Sequence, residues 1–295
     1  MSSLFNLNNC CVIIRSTGER TESLCKYSVL KNGVLNDQIF FIKNISPFSE
    51  ALKKGYELAL HKNKEFTFFI DADIVVLPNS LNKMIAEIKK NKGIFFVNPS
   101  SFDYFFNQIK INGPHLYRTK FLKKALDFIP NEKISRRPET YVVKKMNLIG
   151  YKNIIFNEPV ALHEFEQYNK DIFNRSFNKF VKFPKERWEL FKRIKKEKKN
   201  NYDFEIAYKV FKYLTLRKYY LKLDYKQNDV FFKKLNIKEK KSISEEEIPE
   251  LYKDLCNYID KNRDKYFKYK NKKKFNNNIF NYIKNVLVRF LIFLS

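Results

Sequence analysis

Residues 66–78 read FTFFIDADIVVLP. An apolar run of this kind suits a strand buried on both faces, and it stops at two carboxylates one residue apart, Asp71 and Asp73. Strand side chains alternate, so both carboxylates are expected on one side with Ala72 between them, where a divalent cation and its phosphate ligands can approach. A strand end that merely turns polar on reaching solvent would read the same way. The position favours a site, because open α/β sheets keep their ligand crevice at the carboxyl ends of the strands.

The flanking sequence alternates strand-like and helix-like segments. Residues 10–14 are a short apolar run, 19–30 carry apolar residues at helical spacing, 38–43 are strand-like, and 47–61 form a helix opened by Pro47. After the 66–70 strand come a helix over about 79–90 and a strand over 93–97. This order implies an α/β fold with a parallel sheet covered by helices on both faces. With 6 glycines in 295 residues, neither a G-x-G-x-x-G dinucleotide fingerprint nor a G-x-x-x-x-G-K-S/T phosphate loop is present.

Composition bounds the partners. Hydrophobic residues at 44% and aromatics at 17% supply a sizeable core. A formal charge of +26 makes nucleic acid, acidic lipid and phosphorylated small molecules candidate partners. The excess is mostly Lys and comes with abundant Asn, Ile, Phe and Tyr, as A- and T-rich codons give, so charge by itself overstates a polyanion partner. It tilts toward the C-terminal part, where residues 184–295 hold 30 basic and 15 acidic residues. Cys10, Cys11, Cys25 and Cys256 form no C-x-x-C pair, which fits a reduced cytoplasmic compartment. The start, MSSLFNLNNCC, has no signal-peptide pattern.

Further on, NGPHLYR (112–118) precedes RRPETYVVKKMNLIGYKN (136–153). Pro138 and Glu139 fall at the first turn of a helix that Gly150 terminates. There the helix dipole favours a charged carboxylate, so Glu139 is either a base or a capping acid. Arg15, Ser16 and Thr17 follow the first strand as candidates for a nucleotide base and ribose, or as an ordinary polar loop. His115 is ambiguous, while His61 and Trp188 read as structural. From about 184 the pattern turns basic and helical. The end, NIFNYIKNVLVRFLIFLS (278–295), is an amphipathic helix too short to span a bilayer but suited to an anionic membrane surface, or else to docking on the protein or a second copy.

Taken in order, VIIRSTGERTESL (12–24), PFSEALKKGYELAL (47–60), the D-x-D, NGPHLYR, RPETYVVKKMNLIGYK (137–152) and EPVALHEF (158–165) resemble the GT-A-fold, family 2-like glycosyltransferases that use nucleotide-diphosphate sugars. The resemblance covers about 10–166. It implies a GT-A (Rossmann-like, mostly parallel) catalytic domain over 1–183, followed by a basic helical appendage over 184–275 and the amphipathic helix over 276–295. Asp71, Asp73 and His163 would hold Mn²⁺ or Mg²⁺ on the donor diphosphate, with Arg15, Ser16, Thr17 and Ala72 completing the nucleotide-sugar site. Glu139 would be the base of an inverting hexosyl-type transfer, although Thr140 stands where that family often has Asp. The acceptor would be a bacterial surface glycan or lipid-linked glycan, such as capsule or lipooligosaccharide, reached from the cytoplasmic membrane face, and no nucleic-acid partner is expected. A sugar-phosphate nucleotidyltransferase is the alternative, though GERTES is a poor triphosphate loop; a basic nucleic-acid-binding protein leaves the D-x-D strand without a purpose.

Overall fold

Alternate residues of the first and third strands face two different helical layers, and this parity organises the molecule. The computed structural model describes residues 7–105, 108–135, 137–182, 187–199, 201–216 and 225–275. The expected helix over 276–295 and Arg136 lie outside them, as does the side chain of Trp188. The α/β part runs β1 (Cys10–Ser16), α1 (Glu22–Leu30), β2 (Ile39–Lys43), α2 (Phe48–Lys62), β3 (Phe66–Asp71), β4 (Ile74–Val76), α3 (Ser80–Lys89), β5 (Ile94–Asp103), β6 (Gln108–Ile111), β7 (His115–Arg118), α4 (Leu122–Leu126), α5 (Pro138–Leu148) and β8 (Lys152–His163). Five helices follow: α6 (Asn169–Lys182), α7 (Arg187–Glu197), α8 (Tyr202–Leu216), α9 (Tyr225–Lys234) and α10 (Ile248–Phe275).

The strands form one eight-stranded sheet in the order β2-β1-β3-β7-β5-β8-β4, with β6 on β5. β1 is parallel to β2 and β3, and β5 is parallel to β8. The α/β class is therefore as the sequence implied. The sheet is not wholly parallel: β4 on β8 and β6 on β5 are antiparallel, and β7 lies antiparallel between β3 and β5. In a wholly parallel sheet β3 could pair directly with the strand at 93–97. Instead NGPHLYR supplies the strand that separates them, and this sets His115 opposite Phe69, two residues before Asp71.

On one face Cys10, Val12 and Ile14 of β1 and Phe66, Phe68 and Ile70 of β3 pack with Cys25 and Val29 of α1 and Leu81, Met84 and Ile85 of α3. On the other, Ile13 and Phe69 pack with Leu52, Tyr56 and Ala59 of α2, Leu122 of α4 and Val142 of α5. Arg15 and Asp71 continue the second parity and reach the end of the sheet on the α2 and α5 side. Helices take over at Asn169, before the composition changes at 184. Phe173, Phe177, Ile206, Val210 and Phe231 of α6, α8 and α9 build a separate core. α10 returns to the sheet, where Ile248, Tyr252, Leu255 and Ile259 cover Leu24, Val75, Phe102 and Leu162. Its start is capped as S-x-S-E-E-E suggests, Glu247 accepting from the Ser244 N–H at 2.8 Å and its hydroxyl at 2.9 Å.

α2 lies so close to β3 that a Cβ added at Gly55 would come 2.6 Å from Cε1 of Phe69. That ring is fixed edge-on against Tyr56 and Tyr117, with centroids 5.5 and 5.4 Å away. Gly55→Ala should therefore destabilise the fold by up to about 2 kcal/mol, because overpacking of about 1–3 kcal/mol is offset by a helix-propensity gain of about 1 kcal/mol. Urea denaturation measures it; an unchanged midpoint would mean that the aromatic cluster yields freely.

Candidate active site

The two aspartates of the D-x-D part company. β3 ends at Asp71 and the chain turns at Ala72 and Asp73, so strand alternation no longer governs where Asp73 points. Ala72 is fully buried; its N–H donates to the Arg15 carbonyl at 2.9 Å and its carbonyl accepts the Thr21 hydroxyl at 2.8 Å. These bonds pin the turn and commit Ala72 to the fold.

Asp71, half-exposed, is gripped by Arg15, whose Nε donates to Oδ1 at 2.8 Å. The Arg15 side chain is 6% exposed and also faces Glu139, Nη1 lying 3.5 Å from Oε1. Its guanidinium sits 4.9 Å from the centroid of the Phe48 ring. Glu139, in the first turn of α5 directly after Pro138, accepts the Tyr117 hydroxyl at 2.8 Å and has Nδ1 of His115 3.0 Å from Oε2. Burial disfavours its charge, but His115 and Arg15 outweigh that and hold the carboxyl well below the usual range.

Asp73 joins a second group at the edge of β8. Oδ2 of Asp73 is 3.2 Å from Nε2 of His163, and Arg175 of α6 reaches the same oxygen at 3.4 Å. Arg175 also pairs with Glu164, a residue 0% exposed whose φ of 66° turns its side chain out of the strand alternation. The Glu164 N–H donates to the Asp73 carbonyl at 3.1 Å, which locks this geometry. Behind the imidazole, Nδ1 of His163 lies 3.5 Å from Asp103 Oδ2 and 3.3 Å from Asn112 Nδ2, and Lys110 pairs with Asp103 at 2.5 Å. Burial works against the charges of Asp73 and His163. Their mutual attraction prevails, lowering the carboxyl and raising the imidazole.

One ligand atom each from Asp73, His163 and Glu164 lies within 4.8 Å of the others. Asp71 is not part of that group. Asp73 Oδ1 and Glu164 Oε2 are buried without a hydrogen bond, and Asp103 backs the imidazole as a partner that orients a histidine ligand. Two carboxylates and one imidazole suit Mn²⁺ or Mg²⁺. Glu164, Asp103 and Arg175 escaped the sequence reading. The H-E dipeptide was the available signal for Glu164, but in a regular strand consecutive side chains point to opposite faces.

Two cavities meet at Asp73. One of about 240 Å³ has an apolar wall of Ile42, Ile45, Phe48 and Ala51, with Arg15, Ser16, Thr17 and Asp71 opposite. The other, about 690 Å³, runs from Thr17 and Glu19 to Arg137 and to Lys170, Asp171 and Arg175 of α6. Glu19 fills the loop between them, accepting from the Ser16 and Thr17 hydroxyls and the Thr17 N–H at 2.8–2.9 Å. The structure thus gathers Arg15, Ser16, Thr17, Asp71 and Asp73 along one cleft. His163 flanks Asp73, and Glu139 reaches the cleft wall through Arg15.

No protein-family model matches the chain, and no curated protein sequence does. Solved structures similar to it include a glycosyltransferase involved in glycosylation of the major capsid of PBCV-1, at 10% identity and a TM-score of 0.38 over 52% of this chain and 92% of that one. A197 from STIV aligns at 15% identity and a TM-score of 0.40 over 53% and 86%. The 2-C-methyl-D-erythritol 4-phosphate cytidylyltransferase of Francisella tularensis aligns at 14% and 0.39 over 51% and 90%. Likeness at this level carries no argument about function.

Two carboxyls of the site should give opposite pH responses. Burial opposes the charge of Asp103, but His163 and Lys110 hold its pKa at about 2, so its contribution is present above the unfolded value near 4 and lost as pH falls toward 2. Asp171 is raised to about 6 by burial and by Glu19, Glu239 and Asp73. Its ionisation costs stability at neutral pH, and the cost disappears as pH falls from about 6 to 4. In chelator, Asp103→Asn should lose on the order of 2 kcal/mol at pH 7, less in acid, whereas Asp171→Asn should gain on the order of 1 kcal/mol. Urea denaturation from about pH 3 to 8 tests both; equal pH curves for parent and variants would refute the charge assignments.

Proposed function

We propose that the chain is a metal-dependent, inverting glycosyltransferase that moves a sugar from a nucleotide-diphosphate sugar, UDP by analogy, to a hydroxyl of a surface glycan. The observation that carries this reading is the division of labour at the cleft. An Asp73–His163–Glu164 cluster fit for a divalent cation flanks it, and a separately stabilised carboxylate, Glu139, reaches its wall through Arg15. An in-line displacement needs the leaving group and the attacking hydroxyl on opposite sides of the anomeric carbon.

Asp73, His163 and Glu164 would hold Mn²⁺ or Mg²⁺, which when bound neutralises charge developing on the nucleoside diphosphate. Arg175 supplies positive charge beside the same oxygens. The apolar wall of Ile42, Ile45 and Phe48 suits the flat face of a base, and Ser16 and Thr17 suit a ribose. Glu139 serves proton removal from the acceptor. Glu19 favours this reading over a nucleotidyltransferase, because its carboxylate occupies donors of the loop where a triphosphate would seat. Among the described residues no helix is long and apolar enough to cross a membrane. The basic C-terminal stretch supports residence at the cytoplasmic membrane face, next to a lipid-linked acceptor.

Thermal stabilisation by UDP-, GDP-, CMP- and TDP-sugars, with Mn²⁺ and with chelator, tests donor class and metal together. Asp73→Ala and His163→Ala should stay folded and lose the Mn²⁺-dependent part of that shift; parent-like shifts in both would sink the metal assignment. Glu139→Gln should retain donor binding while turnover falls by the order of 10². Near-parent turnover would reduce Glu139 to a helix-capping acid.

A further inference from the structure

Glu139 is surrounded in a way that suits a partner of a base better than the base itself. Tyr117 and Arg15 both address Oε1, at 2.8 and 3.5 Å, and His115 lies 3.0 Å from Oε2. All three stabilise the anion and so reduce its hunger for a proton. A general base works best when its proton affinity is matched to the operating pH.

His115 has the complementary environment. Its Nδ1 is buried without an aligned hydrogen bond, and Oε2 of Glu139, 3.0 Å away, is the one carboxylate oxygen within ion-pair distance of it among the described residues. The side chain is 16% exposed, so part of it other than Nδ1 reaches the surface. Phe96 packs against that ring, centroids 5.2 Å apart and planes at 63°, which limits its rotation. The register of β7 against β3 sets His115 at the carboxyl-terminal edge of β3, level with Phe69 and just short of the D-x-D. A carboxylate facing Nδ1 selects the tautomer that carries its proton there, and leaves the Nε2 lone pair for a substrate.

We infer that His115, oriented by Glu139, accepts the proton of the attacking hydroxyl, and that Glu139 is a positioning residue. This rests on the transferase reading above. The acceptor O–H gives its proton to Nε2 while an oxygen lone pair forms the bond to the anomeric carbon. The bond from that carbon to the phosphate oxygen breaks, and its electron pair leaves with the nucleoside diphosphate. The imidazolium so formed is balanced by Glu139 of α5, with Arg15 of β1 and Asp71 of β3 the other charged groups facing this corner, and it then returns its proton to solvent.

The chain has three histidines, His61, His115 and His163, so nitrogen-15 NMR of the full-length, histidine-labelled protein can resolve each ring, with H61Q and H115Q for assignment. The expected result is a proton on Nδ1 of His115, with E139Q relaxing that preference. Turnover is read in parallel as nucleoside diphosphate release from the donor sugars named above. H115Q and H115N should lower kcat by the order of 10², leave donor KM near the parent's, and abolish the acid limb of the parent's pH profile. A proton on Nε2 in the parent, or parent-like kcat and pH profile in both variants, overturns the assignment. A parent inert toward every donor overturns the transferase reading instead, and the tautomer then decides the His115–Glu139 arrangement by itself.

Discussion

Charges buried at the end of a sheet persist only if each finds its own counter-charge, and this requirement shapes the cleft. Asp71 and Asp73 leave a single strand one residue apart, yet Arg15 from β1 balances the first while His163 and Arg175 balance the second. Ala72, buried and bonded through both backbone groups, is the pivot that lets them diverge. Were both carboxylates to face one way without a cation, their repulsion would add to the cost of burial. The fold separates them instead, and the cleft acquires two electrostatically distinct walls.

The parallel strands at 10–14, 38–43 and 66–70 and their helices were legible because apolar periodicity and turn residues agree there. Pro138 and Gly150 likewise marked both ends of α5, Gly150 adopting a φ of 93° after its last turn. Strand order was not legible: HLYR reads as a short strand, and nothing in four residues says that it lies antiparallel between β3 and β5. The site was half legible for a related reason. Period-two alternation put Asp71 beside Asp73 and hid Glu164 behind His163. A turn after Asp71 and a left-handed Glu164 undo both inferences, and each departure depends on contacts far away in sequence. The partners of Glu139 come from β1 and β7, so residue types near position 139 gave no hint of them.

The loop after β1 is held in shape by one of its own side chains. Glu19 satisfies the hydroxyls of Ser16 and Thr17 and an exposed backbone N–H, so the loop is ordered before any ligand arrives. A preorganised loop spares a ligand the entropy of arranging it. Its charge also repels anions from this particular corner, whereas the cationic side chains of α6 attract them.

α10 carries a consequence for how the protein is made. The strip of Leu24, Val75, Phe102 and Leu162 leaves the ribosome well before its cover, Ile248 to Ile259. During synthesis the emerging α/β unit therefore carries an open apolar seam until residues 248–259 have been made. Contacts of such long sequence separation close slowly, and an exposed seam in the interval invites association with other nascent chains. Final docking of α10 is the event that turns a sticky intermediate into a finished molecule, so a ribosome that stalls before codon 248 releases a product with its own aggregation surface uncovered.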